Sequence, residues 1–155
     1  MENIIIRKAK RSDIPDILVI ENFCFTEEAF SKSQFDYLIT KSNGVFYVIK
    51  SNNKIIAYIC LLFNRSTRNV RLYSLAIHPQ YRKQQLGSKL LGEGVKFALE
   101  CNAKRICLEV NIYNNVALNL YKKFNFTTKK IKPNYYHDGS DAYYMVKDDF
   151  KLTNI

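Results

Sequence analysis

The spacing of hydrophobic and polar positions changes repeatedly along the chain, and each spacing predicts one kind of element. Runs of β-branched and aromatic residues predict strands at residues 3–9, 45–49, 55–63, 70–77 and 105–112. Apolar residues at helical spacing predict helices that begin after Ser12-Asp13, span about residues 31–40, run from residue 86 to about 100, and cover 116–124. Residues 126–147 predict two further strands around a loop that holds His137-Asp138-Gly139.

The order of these elements predicts the fold class. The segment Ser51-Asn52-Asn53-Lys54 predicts a hairpin between two strands, and His78-Pro79 ends the strand before it. An early hairpin followed by alternating strands and helices is typical of an α/β protein in which helices flank one mixed sheet. The length of 155 residues predicts a single domain that covers residues 1–155.

The composition excludes several classes of protein. Apolar residues make up 47% of the chain and charged residues 25%, which excludes a disordered tail, a collagen-like repeat and a coiled coil. The longest apolar run, residues 55–63, is far shorter than the ~20 residues that a membrane helix needs. The start, Met1-Glu2-Asn3-Ile4, lacks the basic and apolar regions of a signal peptide. We therefore expect a cytoplasmic protein with no membrane partner.

The cysteines give no sign of disulfides or of a metal site. Cys24, Cys60, Cys101 and Cys107 lie in apolar stretches and show no Cys-x-x-Cys spacing. We expect four buried free thiols and no bound metal.

The charge is strongly positive and unevenly distributed. The net charge is +10, and residues 37–92 hold nine Lys and Arg but no acidic residue. A field of one sign concentrates anionic ligands at a cleft, although solvated lysine-rich faces would give the same count. Nucleic acid is a further possible ligand for such a surface. No zinc-finger spacing or RNA-binding aromatic signature accompanies the charge, so we expect no specific nucleic-acid partner.

The stretch from Leu75 to Leu91 carries the most informative chemistry. It predicts a strand, a sharp basic turn with Arg82 and Lys83, and a helix that starts near Gly87. The first turn of a helix has unpaired backbone N–H groups and a partial positive charge, which suit a phosphate. An ordinary strand–turn–helix connection is the alternative.

At this point the sequence resembles the GNAT superfamily of acetyl-CoA-dependent N-acetyltransferases. The segment Ile77-His78-Pro79-Gln80-Tyr81-Arg82 matches the end of the family's strand, and Arg82, Gln85 and Gly87 fall on the marked positions of its Arg/Gln-x-x-Gly-x-Gly/Ala turn. Gln85 replaces the first glycine and fits such a turn where its φ is negative. The resemblance implies a mixed, mostly antiparallel sheet with a strand–turn–helix site for acetyl-CoA, whose pyrophosphate meets the backbone N–H groups of residues 84–88.

Three further segments match in the same order. They are Leu108-Glu109-Val110 with the Asn114 to Tyr121 run, the tail from Tyr135-Tyr136 through Asp138-Gly139 to Met145, and the entry segment from Phe30-Ser31 to Phe35. Asn125 replaces the usual glycine before Phe126, a swap that Asn tolerates because it visits the left-handed region. These segments are similar to protein N-terminal acetyltransferases, and most of all to the RimI-like ribosomal-protein-alanine group.

The resemblance implies a role for each of these residues. Glu109 would act as general base, Tyr121 as general acid, and a backbone N–H near Ile77 as oxyanion donor. Peptide-binding residues would be Phe30, Tyr135 and Tyr136. Acetyl-CoA would contact Leu75, Ala76, Ile77, Arg82, Lys83, Gln84, Gln85, Leu86, Gly87, Ser88, Asn114, Ala117 and Tyr121.

Each role has a structural alternative. Glu109 could sit on a solvated strand face, Tyr121 could be a core tyrosine, and Asn114 could be a helix N-cap while also binding pantetheine. Tyr135 and Tyr136 could be plain strand aromatics.

The acceptor that we expect is a protein or peptide N-terminus, with a ribosomal protein as one candidate. An α-amine has a pKa of about 8 against about 10.4 for lysine, so it is far more often neutral at pH 7. The other functions considered are a small-molecule amine acetyltransferase for a polyamine or an aminoglycoside, and a non-catalytic CoA-binding or ribosome-associated module. The sequence carries no signal for an oligomeric state.

Overall fold

The computed structural model describes residues 4–25, 29–40, 43–82 and 85–150. These residues form seven strands, four α-helices and two single-turn 3₁₀ helices, Arg11–Asp13 and Pro79–Tyr81. The strands are β1 Ile4–Lys8, β2 Gly44–Ser51, β3 Lys54–Asn64, β4 Asn69–Ile77, β5 Arg105–Asn111, β6 Thr127–Lys132 and β7 Ala142–Lys147. The α-helices are α1 Ile14–Cys24, α2 Lys32–Thr40, α3 Leu86–Glu100 and α4 Asn115–Lys123.

The strands form one mixed, mostly antiparallel sheet, as the family resemblance implied. Their order is β1-β2-β3-β4-β5-β7-β6. The pairs β1–β2, β2–β3, β5–β7 and β6–β7 are antiparallel. The pair β4–β5 is parallel and covers only Asn69–Arg71 against Arg105–Cys107.

The chain divides into two compact units. The first unit comprises Met1–Leu62 and Leu72–Phe97, and the second comprises Phe63–Arg71 and Ala98–Ile155. A single domain over the whole chain stays a prediction. In the first unit the core contains the buried face of α1, with Ile14, Ile17 and Ile20. The second unit buries residues from β5, β7 and the loop after α4, namely Ile106, Leu108, Val110, Phe126 and Met145.

Asparagine supplies left-handed turn positions in both units. Asn52 and Asn53 have φ values of 49° and 69°, as the two central residues of a type I′ hairpin turn require. Asn125 follows α4 with φ of 67° and ends that helix in the left-handed region. The hairpin at residues 51–54 and the acceptance of Asn in place of glycine at position 125 are therefore confirmed.

The cysteines depart from the sequence prediction in one respect. All four are free thiols, as expected. Cys60 and Cys107 are buried, but Cys24 and Cys101 are only half-buried. The prediction of complete burial was wrong for these two, because Cys24 lies in the last turn of α1 and Cys101 in the turn after α3.

Candidate active site

In the first unit, the end of β4 and the turn after it are held by short polar contacts. His78 donates its backbone N–H to the Ile56 carbonyl of β3 at 2.8 Å, and its Nδ1 accepts the backbone N–H of Gln80 at 3.1 Å. Burial lowers the pKa of His78, and the nearby charges of Lys54 and Arg82 lower it further. A neutral imidazole therefore caps the Pro79–Tyr81 helix, and His78 is a turn residue as expected.

Arg82 closes this turn over the strand end. Its Nε donates to the Ile77 carbonyl at 3.3 Å, and one terminal nitrogen donates to Cys24 Sγ at 3.4 Å. The Arg82 residue is exposed, so the guanidinium remains accessible to an anion. Leu75 and Ile77 are half-buried on one face of β4, whereas Ala76 is buried on the other.

The helix after the turn begins at the residue where the sequence placed it. Helix α3 starts at Leu86, and its first backbone hydrogen bond runs from the Lys89 N–H to the Gln85 carbonyl at 3.2 Å. An α-helix has no intrahelical acceptors for its first N–H groups, so the backbone here can bind an anion. Lys83 and Gln84, which were also predicted to bind the cofactor, lie outside the described residues.

Gln85 corrects one expectation about this turn. Its φ is +59°, in the left-handed region, and not negative as expected for a non-glycine residue at this place. The chain thus keeps the backbone conformation that glycine adopts without steric strain, although the residue is not glycine.

In the second unit, Glu109 lies in β5 between two cations. Lys132 Nζ is 2.6 Å from Glu109 Oε2, and Arg71 donates to Oε1. The Glu109 side chain is 4% exposed, whereas those of Arg71 and Lys132 are about one-third exposed. Lys132 also lies over the Tyr144 ring, 5.1 Å from its centroid. Both carboxylate oxygens are therefore already engaged by positive charge, and a solvated strand face is not the environment of this residue.

Tyr121 lies on the inner face of α4. It is 6% exposed, and its ring centroid is 5.6 Å from that of Phe126. Burial raises the pKa of Tyr121 above its usual value, and the nearby Tyr136 raises it further. The hydroxyl therefore stays protonated at neutral pH, as a proton donor must.

Asn114 caps the helix that carries Tyr121. Its Oδ1 accepts the Ala117 N–H at 3.2 Å, which confirms the N-cap. The cap uses only the side-chain oxygen of Asn114, so capping does not occupy the side-chain NH₂ group. Ala117 is half-buried one turn before Tyr121.

Tyr135 and Tyr136 lie in the loop between β6 and β7, so they are not strand aromatics. Their rings meet edge to face with centroids 5.0 Å apart, and both of their backbone N–H groups donate to the Ser140 carbonyl. Asp138 accepts the Ser140 backbone N–H at 2.9 Å, and hydrogen bonds from Ser140 hold the pKa of Asp138 below its usual range. The loop is therefore closed by its own hydrogen bonds, with Tyr135 exposed at its surface.

Phe30, the other predicted peptide-binding residue, lies before α2 in the first unit. Its ring packs against Phe35 and Tyr73, with centroid distances of 5.7 Å and 6.5 Å. Its backbone N–H donates to Oε2 of Glu21 at 2.9 Å. Glu21 was not predicted as a site residue, although a carboxylate at helical spacing after Ile14, Ile17 and Leu18 was the signal that could have identified it.

Within residues 4–25, 29–40, 43–82 and 85–150, no three His, Cys, Asp or Glu side chains are grouped so that they could hold a metal ion. Among the helices in these ranges, none has the length and apolarity needed to cross a membrane.

Comparison with known proteins assigns the chain to a family. The model of a family described as "Acetyltransferase (GNAT) family" matches residues 14–126. The chain belongs to the GNAT acetyltransferase family. The matched residues include the strand–turn–helix segment, Glu109 and Tyr121. The fold and the enzyme class that the resemblance implied are therefore confirmed.

Individual GNAT relatives match most of the chain. A protein named "N-alpha-acetyltransferase" from Sulfurisphaera tokodaii is 30% identical over 151 residues, which cover 90% of each chain. A "Putative [ribosomal protein bS18]-alanine N-acetyltransferase" from Bacillus subtilis is 31% identical over 141 residues, covering 90% of this chain and 92% of that protein. The crystal structure of Ard1 from Thermoplasma volcanium superposes with a TM-score of 0.83 and 26% identity, over 93% of this chain and 96% of that one.

Proposed function

We propose that this GNAT enzyme transfers the acetyl group of acetyl-CoA to the α-amine of a protein N-terminus by direct attack. The observation that carries the proposal is the match, over nine-tenths of the chain, to relatives named for N-terminal α-amine acetylation. An alanine at the start of a ribosomal protein is one candidate acceptor, because the Bacillus subtilis relative is named for that reaction.

The first unit supplies the proposed phosphate contacts. The N–H groups of the first turn of α3, at residues 86–88, and the exposed Arg82 guanidinium are donors suited to a pyrophosphate. The left-handed Gln85 supports this assignment because it sets the direction in which the helix starts. The proposed set also includes Lys83, Gln84, Leu86, Gly87 and Ser88, together with Leu75 and Ala76 in the strand.

The end of β4 supplies the proposed oxyanion donor. Successive N–H groups of a strand point to opposite edges, and the His78 N–H is used by the Ile56 carbonyl of β3. The Ile77 N–H therefore points to the other edge of β4. There it would bind the thioester oxygen as negative charge develops during attack.

The second unit supplies the proposed contacts for the pantetheine arm and the acid. Asn114 and Ala117, in the first turn of α4, would meet pantetheine amides, and the cap bond described above fixes the Asn114 side chain. Tyr121 would give its proton to the CoA thiolate as the C–S bond breaks. Its buried, protonated hydroxyl supports this role.

Glu109 is the proposed base. Its carboxylate would accept the proton that the amine loses, directly or through a water molecule, as the C–N bond forms. Arg71 and Lys132 hold the carboxylate in one position, which suits a proton acceptor. Their hydrogen bonds also leave fewer of its lone pairs free to accept the proton. An acceptor with a weakly basic amine, such as an α-amine, suits this arrangement.

Phe30, Tyr135 and Tyr136 are the proposed peptide contacts. Aromatic side chains give a large contact area at small loss of conformational freedom, so they can hold an extended peptide by its first residues. The self-bonded loop that carries the two tyrosines supports a preformed surface.

The proposal is tested by CoA release with a panel of acceptors. The panel contains peptides that differ in their first residue, each peptide with its N-terminus blocked, spermidine, an aminoglycoside, and no acceptor. We expect release with at least one free peptide and none with its blocked copy, and a mass increase of one acetyl group at the α-amine. Release with spermidine or the aminoglycoside alone would favour the small-molecule enzyme, and release with no acceptor present would contradict acetyl transfer.

A further inference from the structure

Glu21 is a buried carboxylate with no assigned role in the reaction. It lies on the apolar face of α1, and only 2% of its surface is exposed. Its two predecessors on that face, Ile17 and Ile14, are also buried. A carboxylate in such a place is unfavourable unless its oxygens accept hydrogen bonds.

Three donors from different parts of the first unit reach this carboxylate. Oε1 accepts the Tyr58 hydroxyl of β3 and lies 3.3 Å from the Ser74 hydroxyl of β4. Oε2 accepts the backbone N–H of Phe30 at 2.9 Å. One side chain in the core therefore ties the backbone at Phe30 to strands β3 and β4.

The Phe30 segment is held from a second side as well. The Phe30 ring packs against Phe35 of α2 and Tyr73 of β4. Backbone and ring are thus fixed independently, the backbone by Glu21 and the ring by apolar contact. Removal of the carboxylate would release the Phe30 N–H while leaving the aromatic contacts in place.

We propose that Glu21 is a positioning residue for the acceptor: its carboxylate holds the Phe30 backbone in the place from which Phe30 contacts the peptide N-terminus. This inference rests on the proposed function, since it assigns Phe30 to the acceptor. It assigns a role to a buried residue that is not among the proposed acetyl-CoA contacts.

The burial of Glu21 makes its hydrogen bond with the Phe30 backbone dependent on pH. Burial raises the pKa of Glu21 to about 7, although the hydrogen bonds from Phe30 and Ser74 act in the other direction. The titratable groups near it are Tyr58 and Cys60 on β3 and Cys24 on α1.

Neither thiol competes for the proton near pH 7. Burial raises the pKa of Cys60 to about 12 and raises that of Cys24, whose nearest charge is Arg82. As the pH falls through 7, Glu21 becomes neutral, and the Phe30 N–H loses a charged acceptor for a weaker one.

Steady-state kinetics of Glu21→Gln test the proposal, with Asp16→Asn on the exposed side of the same helix as the matched control. At pH 8 we expect the peptide KM of Glu21→Gln to rise roughly tenfold, because a charge-assisted hydrogen bond becomes a neutral one. The KM for acetyl-CoA should stay within about twofold. Below pH 7 the ratio of the two peptide KM values should approach one, and protonation of the peptide amine cancels in that ratio.

A second variant addresses the carboxylate without removing it. Tyr58→Phe deletes one donor to Oε1, which destabilises the charged form of Glu21 and raises its pKa. As the pH is lowered, the peptide KM of this variant should therefore begin to rise at a higher pH than that of the wild type. Hydrogen exchange of the Phe30 amide should be faster in Glu21→Gln than in Asp16→Asn.

The possible outcomes separate this inference from the function on which it rests. A wild type that acetylates no peptide overturns both. A wild type that acetylates peptides, with an unchanged peptide KM in Glu21→Gln or an equal rise in both KM values, overturns only the role of Glu21. A KM ratio that does not change with pH has the same meaning.

Discussion

At the residue scale, two carboxylates show how partners determine chemistry. Glu21 and Glu109 are almost equally excluded from solvent. Glu21 is met by hydroxyl and amide groups, and burial raises its pKa to about 7. Glu109 is met by Arg71 and Lys132, so its charge is balanced where it lies. The first carboxylate responds to pH in the neutral range, whereas both oxygens of the second are paired with cations.

We expect Glu109→Gln to lower kcat by about 100-fold or more at pH 7, which is the lower end of what general acid–base catalysis contributes. The deficit should shrink by roughly tenfold at pH 9, because an α-amine with a pKa of about 8 is then mostly neutral without help. A pH–rate profile of variant and wild type on the same peptide measures this. A profile of unchanged height and shape would remove Glu109 from the mechanism.

The control for that variant follows from the ion pairs. Glu109→Gln leaves Arg71 and Lys132 without their shared counter-charge, which could disturb the sheet on its own. The double variant Glu109→Gln with Lys132→Met removes the excess charge and keeps the lysine stem. Activity that returns in the double variant would show that the loss was structural, whereas activity that stays low supports the base.

Tyr121→Phe should lower kcat by about 100-fold or more while the melting temperature changes little. The variant keeps the ring and its contact with Phe126, and loses only the proton meant for the CoA thiolate. Because burial raises the pKa of Tyr121, no loss of the acid through ionisation is expected up to about pH 10. Kinetics beside a thermal melt measure both quantities. A stable variant with wild-type kcat would return Tyr121 to a purely structural role.

Single residues also show where sequence reasoning succeeds and where it ends. The left-handed Asn125 was predictable because Asn visits that region by its own local hydrogen bonding. The partners of Glu21 and Glu109 were not, because Tyr58 is 37 positions from Glu21 and Arg71 is 38 positions from Glu109. Local periodicity carries no information on contacts at that distance.

At the element scale, strands and helices were predictable and the turn between them was only partly so. The predicted start of α3 at residue 86 and its end at 100 are those of the structure. The apolar face of α3, with Leu90, Leu91 and Ala98 buried, explains this agreement. Gln85 was expected to fit this turn on the condition of a negative φ, which side-chain type alone favours, whereas the structure has a positive φ there.

Gln85→Gly tests the cost of that backbone conformation. A left-handed residue other than glycine costs about 1–2 kcal/mol, and glycine in turn costs about 0.5–1 kcal/mol in conformational entropy. We expect a net gain in stability of at most about 1.5 kcal/mol, and acetyl-CoA affinity at least equal to the wild type.

The comparison variant for this position is Gln85→Ala. It removes the side-chain amide and keeps the strained φ, so it should not gain stability. Thermal melts and calorimetry with acetyl-CoA distinguish the two variants. Equal stability of Gly and Ala at position 85 would contradict a strained turn.

The loop between β6 and β7 is the element that the peptide proposal depends on most. Replacing both Tyr135 and Tyr136 by Ala should raise the peptide KM by roughly fivefold or more, since truncated aromatic contacts often cost over about 1 kcal/mol. The KM for acetyl-CoA should stay near the wild-type value. Tyr37→Ala, which removes an exposed tyrosine from α2, is the control. If both constants are unchanged, the loop has no part in peptide binding.

At the scale of the whole molecule, the class of the sheet was predictable and its strand order was not. Alternating strands and helices predict an α/β protein, but β7 pairs with both β5 and β6, an order that depends on long-range pairing. The division into two units, with residues 63–71 in the second, could not be predicted from the spacing of hydrophobic residues either. The net charge of +10, in contrast, can be read directly from the sequence.

That charge predicts acetyl-CoA binding that weakens with salt. The ligand is anionic, and residues 37–92 contain nine basic residues and no acidic one. Raising the salt from about 0.01 to 1 M shortens the screening length from about 30 to 3 Å, so the field of the whole chain is lost before a direct contact is. Calorimetry over this range should show a Kd that rises steadily.

Variants of two arginines in that segment distinguish long-range electrostatic attraction of acetyl-CoA from direct contact with its phosphates. Arg82→Gln should weaken acetyl-CoA binding about tenfold at low salt and flatten the salt dependence, because it deletes a charge-assisted bond in the proposed phosphate turn. Arg65→Gln removes the same charge from an exposed turn between β3 and β4, and should change Kd by less than about twofold. Equal effects of the two variants would show that the field of the chain, and not the turn, attracts the cofactor. Absence of binding by the wild type at low salt would contradict the assignment of acetyl-CoA itself.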